Sequence, residues 1–240
     1  MKHDRIKSKV FFYTTSPLSC PYLEGQVERR IVTELTGTDS DDLHNALSKS
    51  GFRRSHYMAY APVCPNCNAC IPVRVDVANF NLSKSWKRIR NKFAHLDVTL
   101  CPARATQEQF SLFESYQKSR HFDGDMALMD FFDYRSMVEE TPILTSVVEF
   151  REGGKLVSAL LMDHLDDGVS AVYSFFDHAK DYQGLGNYMV LWAINECANN
   201  NLPYVYLGYL IKDCRKMSYK SRYSPLEGCV DGVWTALDPL

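Results

Sequence analysis

Residues 172–223 constrain this chain more than any other stretch. Val172-Tyr-Ser-Phe-Phe176 is β-branched and aromatic, and reads as a strand. Asp181-Tyr-Gln-Gly184-Leu-Gly186-Asn-Tyr188 follows as a glycine turn. From Gly186 to Asn199 the apolar residues Val190, Ala193, Ile194 and Cys197 recur at helical spacing, so a helix with one buried face is expected. Tyr204 to Tyr209 is a second strand, and Asp213 to Tyr219 a short helix. Glycines that open a helix expose its first N–H groups to a phosphate or carbonyl oxygen.

The remainder reads as support for that unit. Val10 to Thr15 and Gln26 to Thr36 are expected as strands. Asp39 to Ser50 is expected as a helix, capped by Asp39 or Ser40, buried through Leu43, Ala46 and Leu47, and ended by Gly51. Phe52 to Tyr60 is extended. Val73, Val75 and Val77 alternate with Arg74 and Asp76, which predicts a strand with a polar face. Ser83 to His95 predicts a basic helix with Trp86, Ile89 and Phe93 on its inner face. Thr106 and Gln109 form a capping box for a helix burying Phe110, Phe113 and Tyr116, and Asp130 to Glu139 reads as another. Residues 121–126 read as a loop. Thr145–Phe150, Lys155–Met162 and Val169–Phe176 are strands joined by turns at Gly153-Gly154 and Asp166-Asp167-Gly168, and Val233 to Thr235 is the last strand.

Two helices, an antiparallel meander, a glycine loop, a helix and a strand is the order of a GNAT-like acyltransferase. The expected class is therefore α+β. A GNAT-like domain with a mixed, largely antiparallel sheet and flanking helices spans residues 104–240. A smaller α+β domain bearing a cysteine cluster precedes it, over residues 1–103.

A formal net charge of −2 gives no global field for nucleic acid, so any such contact needs a local basic patch. Lys84, Lys87, Arg88, Arg90 and Lys92, interleaved with aromatic residues, are such a patch. A charge run is ordinarily a solvated face. The first residues lead into no apolar run suited to a leader, and no stretch approaches bilayer length. The expected location is the cytoplasm, where eight cysteines do not form a disulfide framework. Cys64-x-x-Cys67-x-x-Cys70, with Cys20 as a fourth thiol, could close a Zn²⁺ site or hold an iron–sulfur cluster; reduced, partly buried thiols are the plain alternative.

Gly184-Leu185-Gly186 alone is a weak signal. An acetyl-CoA enzyme usually carries Arg or Gln three residues before the first glycine, and here Asp181 would repel a pyrophosphate. The layout suits an acyltransferase while the CoA loop does not. A CoA-dependent N-acetyltransferase and a non-catalytic zinc-bearing RNA-binding module are the competing classes.

Tyr206-Leu-Gly-Tyr209-Leu-Ile-x-x-Cys214-x-Lys216-Met217-x-Tyr219-Lys220-x-x-Tyr223-x-Pro225 resembles the C-terminal signature of the arginyl-tRNA–protein transferases. Gly51-Phe-Arg-Arg-Ser55 and the cysteine turn through Arg74 resemble the N-terminal half of their bacterial branch, the aspartate/glutamate leucyltransferases. The resemblance runs from about Phe11 to Trp234. It implies a GNAT-like C-terminal half, an aminoacyl-tRNA donor and an acceptor protein that begins with Asp or Glu. The added residue marks the product for N-end-rule degradation. Length favours leucine over arginine as the transferred residue, with arginyl transfer the alternative. The eukaryotic members' cysteine pattern is not matched, since Leu23 follows Cys20 where a second cysteine would stand.

The tRNA ester is already activated, so this chemistry needs no metal, cofactor or nucleophilic side chain. The expectation places Gly184, Leu185, Gly186 and Asn187 at the ester, with Tyr206, Tyr209 or Tyr219 orienting the carbonyl or relaying a proton. Lys216 and Lys220 would hold the tRNA 3′ end, and Lys87 and Arg88 its backbone. Reading an acidic side chain calls for an arginine fork, with Arg74 first, Arg54 second and Tyr22 beside them.

Overall fold

A computed structural model describes residues 9–122 and 124–237 of the 240-residue chain. The leader reading concerns the first five residues, which lie outside the described residues, as does position 123 of the expected 121–126 loop. The strands are β1 (Tyr13–Thr14), β2 (Leu18–Ser19), β3 (Val27–Glu28), β4 (Arg30–Glu34), β5 (Arg53–Ser55), β6 (Met58–Pro62), β7 (Ile71–Asp76), β8 (Asp97–Pro102), β9 (Thr145–Glu152), β10 (Lys155–Leu165), β11 (Gly168–Phe176), β12 (Tyr204–Leu210), β13 (Leu226–Val230) and β14 (Val233–Ala236). The helices are α1 (Ser40–Lys49), α2 (Lys84–Phe93), α3 (Gln107–Arg120), α4 (Phe131–Glu139) and α5 (Leu185–Asn199).

An eight-stranded sheet in the order β14-β13-β7-β12-β11-β10-β9-β8 forms the body. Only β11 and β12 pair in parallel, because α5 carries the chain between them across the sheet. Period-two alternation splits β9 and β10 between two cores. Val148, Phe150, Leu160 and Met162 face α2 and α5 with Trp86, Phe93 and Met189, whereas Val147, Ala159 and Leu161 face α3 and α4 with Phe113 and Tyr134. Burial on both faces explains why these strands read as near-continuous apolar runs. Emptying one such aromatic position would cost about 3–5 kcal/mol.

The expected capping box of α3 is present, with Thr106 accepting from Gln109 N, and Asp130 and Asp133 build a second one on α4. Ser83 caps α2, whose Trp86 and Phe93 are buried as expected.

A second sheet, β1-β4-β6-β5, packs with α1 around Leu35, Leu43, Leu47, Ala59 and Ile143. The buried face of α1 holds Leu43 and Leu47 as expected, while Ala46 is exposed and His44 and Ser48 are buried beside the leucines. A charged group beneath the helix, described below, accounts for that polar choice. Of Val10–Thr15 only Tyr13 and Thr14 pair as a strand. Residues 213–217 form turns, and a short 3-10 helix, Ser218–Arg222, replaces the expected helix at 213–219. The division proposed after residue 103 falls at the end of β8, while β7 and β8 share the large sheet with strands from the later half. No helix among the described residues is long and apolar enough to cross a membrane.

Candidate active site

The parallel pair at the centre of the sheet comes apart. β11 and β12 are in register only through Gly168–Tyr204, Val169–Val205 and Ser170–Tyr206. Beyond these residues β11 continues to Phe176 and β12 to Leu210 without pairing to each other. The cause is local to β12. Its register against β7 shifts between Tyr206 and Gly208, and Gly208 has φ +78°. Such a bulge bends the strand, and only glycine takes that conformation without strain. The two diverging strands leave a wedge lined by backbone groups that have lost their neighbour.

Arg53 of β5 enters the wedge from the second sheet. Its Nη1 donates to Ser170 Oγ at 2.8 Å and its Nη2 to the Ala171 carbonyl at 2.7 Å. A Cβ on residue 208 would lie 3.1 Å from Arg53 Nε, so glycine there also makes room for the guanidinium. Among the described residues Arg53 has no ion-pair partner. It is a half-buried cation answered by a hydroxyl and a carbonyl only.

Lys220 lies beside it. The residue is 7% exposed, and Nζ donates to the Tyr209 carbonyl at 2.6 Å, past the point where β12 leaves β11. It too lacks a carboxylate partner among the described residues. Burial, then the neighbouring charge of Arg53, pushes Lys220 down to about 7, with Cys214 acting the other way. This placement buries Lys220 beneath the surface. Tyr219, 40% exposed, packs edge-on to Tyr223 with ring centroids 6.4 Å apart. Burial of its hydroxyl, then Tyr116, raises Tyr219, and Arg53 opposes the rise. Lys216 is exposed on the segment before it.

The other two tyrosines are differently employed. Tyr206 donates to Asp167 Oδ2 at 3.0 Å and accepts from Arg74 Nη1 at 3.1 Å. The Tyr209 hydroxyl points at the carbonyls of Tyr60 (3.2 Å) and Gly51 (3.3 Å), tying β12 to the second sheet. Burial holds both phenols well above the usual tyrosine range.

Arg74 and Arg54 already hold carboxylates. Arg74 Nε donates to Glu227 Oε2 at 2.8 Å, and its Cζ lies 3.4 Å from the Tyr204 ring centroid and 4.3 Å from that of Trp234. Arg54 grips Asp163 with Nε and Nη2 at 2.7 and 2.6 Å, and Nη1 donates to the His56 carbonyl. Thr145 Oγ1 donates to the same Asp163, and His44 Nε2 lies 3.6 Å from it. Burial is the main cause that pushes His44 down to about 4. This knot is why α1 buries His44. Tyr22 is pushed up to about 12 by burial and then Tyr60, and Arg30 stands 5.0 Å over the Tyr60 ring.

The start of α5 is a glycine cap. Gly184 caps it at φ +96° with no side chain on the first N–H groups. Gly186 presses on Phe176, whose ring would be 3.0 Å from a Cβ there. Asn187 Oδ1 accepts from Tyr223 at 2.8 Å. Lys84, Lys87, Arg88, Arg90 and Lys92 are exposed along α2, and its first turn carries no acid. Arg222 stacks 4.5 Å over Trp86, which fixes the end of the 211–222 segment against that basic helix.

Among the described residues no group of three or more Cys, His, Asp or Glu side chains is arranged to hold a metal ion. Cys70 does feel Cys64, Cys20 and Cys67, in that order after burial, and is pushed up to about 11. The four sulfurs are thus near one another as thiols without a shared ligand geometry. Cys64 Sγ accepts from Arg29 N at 3.4 Å.

Sequence reasoning missed Arg53 and Gly208 as site residues. Both lie inside motifs quoted for the resemblance, Gly51-Phe-Arg53-Arg54-Ser55 and Tyr206-Leu-Gly208-Tyr209, and nothing local separates Arg53 from Arg54.

The family described as "Arginine-tRNA-protein transferase, C terminus" matches residues 108–230, and "Arginine-tRNA-protein transferase, N terminus" matches residues 18–88. A relative from Paramagnetospirillum magneticum named aspartate/glutamate leucyltransferase is 54% identical over 240 residues, covering 100% of this chain and 98% of its own. One of the same name from Rhodospirillum rubrum is 55% identical, covering 95% and 94%. Among solved structures, a GCN5-related glucosamine N-acetyltransferase region of a fungal multi-domain GH3 β-N-acetylglucosaminidase aligns at 10% identity and a TM-score of 0.42, over 81% of this chain and 22% of that one.

Proposed function

The chain belongs to the arginine-tRNA-protein transferase family and is an aminoacyl-tRNA–protein transferase; from that premise we propose that it moves leucine from leucyl-tRNA onto the α-amino group of proteins beginning with Asp or Glu. The names of its relatives supply the leucine and the acidic acceptors. The product carries one extra residue at its N-terminus, as an N-end-rule degradation signal would. A GNAT-like core, a tRNA-using site and a place in the cytoplasm belong to the same reading.

The observation that carries it is the wedge with its two cations, which have no carboxylate partner among the described residues. The ester carbonyl is seated between the bare N–H groups at the start of α5, Gly186 and Asn187, and the unpaired backbone of β11 and β12. Those N–H groups are fixed before the reaction, so stabilising the oxyanion needs little reorganisation. The acidic side chain of the acceptor goes to Arg53. Arg74 and Arg54, considered first for this task, keep Glu227 and Asp163 and brace the sheet instead. The tRNA backbone runs along the exposed cations of α2, with Lys216 nearer its 3′ end. The transfer as proposed draws on neither the thiols nor a metal.

The test mixes the protein with leucyl-tRNA and a peptide beginning with Asp, and reads peptide mass. Gain of one leucyl residue is expected, with none when the peptide begins with Asn. Gain of an arginyl residue from arginyl-tRNA alone would overturn the donor. Acetylation from acetyl-CoA would overturn the class.

A further inference from the structure

Within the transfer reaction just proposed, we infer that Lys220 is the catalytic base, its Nζ taking a proton from the acceptor's α-ammonium beside the Tyr209 carbonyl. The inference rests on that functional reading and deepens it. The geometry comes first. Lys220 is nine-tenths buried on the 3-10 helix Ser218–Arg222, and its hydrogen-bond partner is the Tyr209 carbonyl at 2.6 Å. A neutral amine can donate one N–H there and keep its lone pair for an incoming proton.

The surroundings oppose a resident charge. A buried ammonium without a carboxylate is costly, and none pairs with Lys220 among the described residues. From β5, Arg53 adds a like charge. From β12, Tyr209 presents its carbonyl, with its phenol held protonated by burial. From the same 3-10 helix, the Tyr219 ring lies 5.9 Å from Nζ, its hydroxyl also held protonated. Cys214, on the preceding turn, is the group that favours the charge. These terms leave the amine near 7, where a base serves an acceptor amine best. An acceptor carboxylate on Arg53 would offset the repelling charge as the proton arrives.

The step balances. The α-ammonium gives one proton to Lys220, and the freed amine attacks the ester carbonyl. The bond from the carbonyl carbon to the ribose 3′-oxygen breaks as the amide forms. The second proton on nitrogen passes to that 3′-oxygen, and Lys220 returns its proton to solvent.

The test uses the full chain, leucyl-tRNA and an Asp-initiated peptide. Wild-type transfer is established first, and its absence would sink the functional reading before Lys220 is in question. Lys220→Ala, Lys220→Met and Lys220→Arg are then compared, with thermal melting to show that each is folded. Lys220→Met keeps the volume and places an apolar group in the buried site, so a folded variant is available. All three should lose transfer by about 10²–10⁴-fold while still binding leucyl-tRNA. Lys220→Arg keeps the cation and the donor to Tyr209 but cannot release a proton, so a merely structural role would leave it active. Small tertiary amines, which cannot be leucylated, should restore Lys220→Ala in proportion to their basicity. Transfer by Lys220→Arg or Lys220→Met within about threefold of wild type would overturn the inference. So would an Lys220→Ala variant that no amine revives.

Discussion

Arg53 and Arg54 are neighbours on one three-residue strand, and they meet opposite fates. Successive strand side chains point to opposite faces. Arg54 turns into a closed knot with Asp163, Thr145 and His44, every polar group answered. Arg53 turns into the gap between β11 and β12, where it finds a hydroxyl and a carbonyl but no carboxylate among the described residues. The first arrangement holds two sheets together. The second leaves charge unspent beside Lys220. Arginine type and sequence position do not separate these tasks; the partner across the face does.

The largest effect should come from opening the knot. Asp163→Ala leaves Arg54 buried without its counter-charge, and should cost about 3–5 kcal/mol in denaturant unfolding. Arg54→Met with Asp163→Leu should recover most of that, because two apolar groups need no partner. A cost below about 1 kcal/mol for Asp163→Ala would erase the contrast between the two arginines.

Arg53→Gln should do the reverse. Stability should change by about 1 kcal/mol, from a lost hydrogen bond to Ser170 or Ala171, while kcat/KM for an Asp-initiated peptide falls about 10²-fold or more. Equal losses in stability and transfer would make Arg53 a second brace.

His44 sharpens the comparison through pH. Its folded pKa, about 4, lies below the ordinary 6.5, so the unfolded chain binds the proton first. Stability should therefore fall as pH drops through that window, by up to about 3 kcal/mol. His44→Gln should flatten this limb in urea unfolding measured against pH. Lys220 carries the same sign at higher pH, with stability rising from about 7 to its ordinary 10.5.

The smallest change is expected at the surface. Lys87→Gln with Arg88→Gln should leave melting unchanged and weaken leucyl-tRNA binding several-fold. The slope of log affinity against log salt should fall by up to about 2. An unaltered slope would return α2 to an ordinary solvated face.

The strands of the meander, the capping box of α3, the inner face of α2 and the burial pattern of α5 were legible from residue order alone. Each depends on contacts a few residues apart, so spacing encodes it. The polar part of the buried face of α1 was not legible, because His44 lies against Asp163, a group more than a hundred residues away, and Ser48 against His44. The short β13 carries no strong periodicity and is a strand through its pairing with β7 and β14. The site was legible as a set of motifs and not as a geometry. Lys220 read as a ligand of the tRNA 3′ end, and its burial was not legible because lysine is seldom buried. Arg74 read as a free fork, whereas Glu227 takes it from across the sheet.

By itself the sequence determined the class of element in each segment, the glycine loop before α5, and, through two ordered motifs, the family. Those properties follow from local backbone preference and from residue type. Only the tertiary structure decided where β11 and β12 part, which arginine enters the gap and which lysine loses water. Those outcomes depend on a bulge at Gly208 and on partners brought together from distant strands, and electrostatic state is set by that company rather than by the side chain alone.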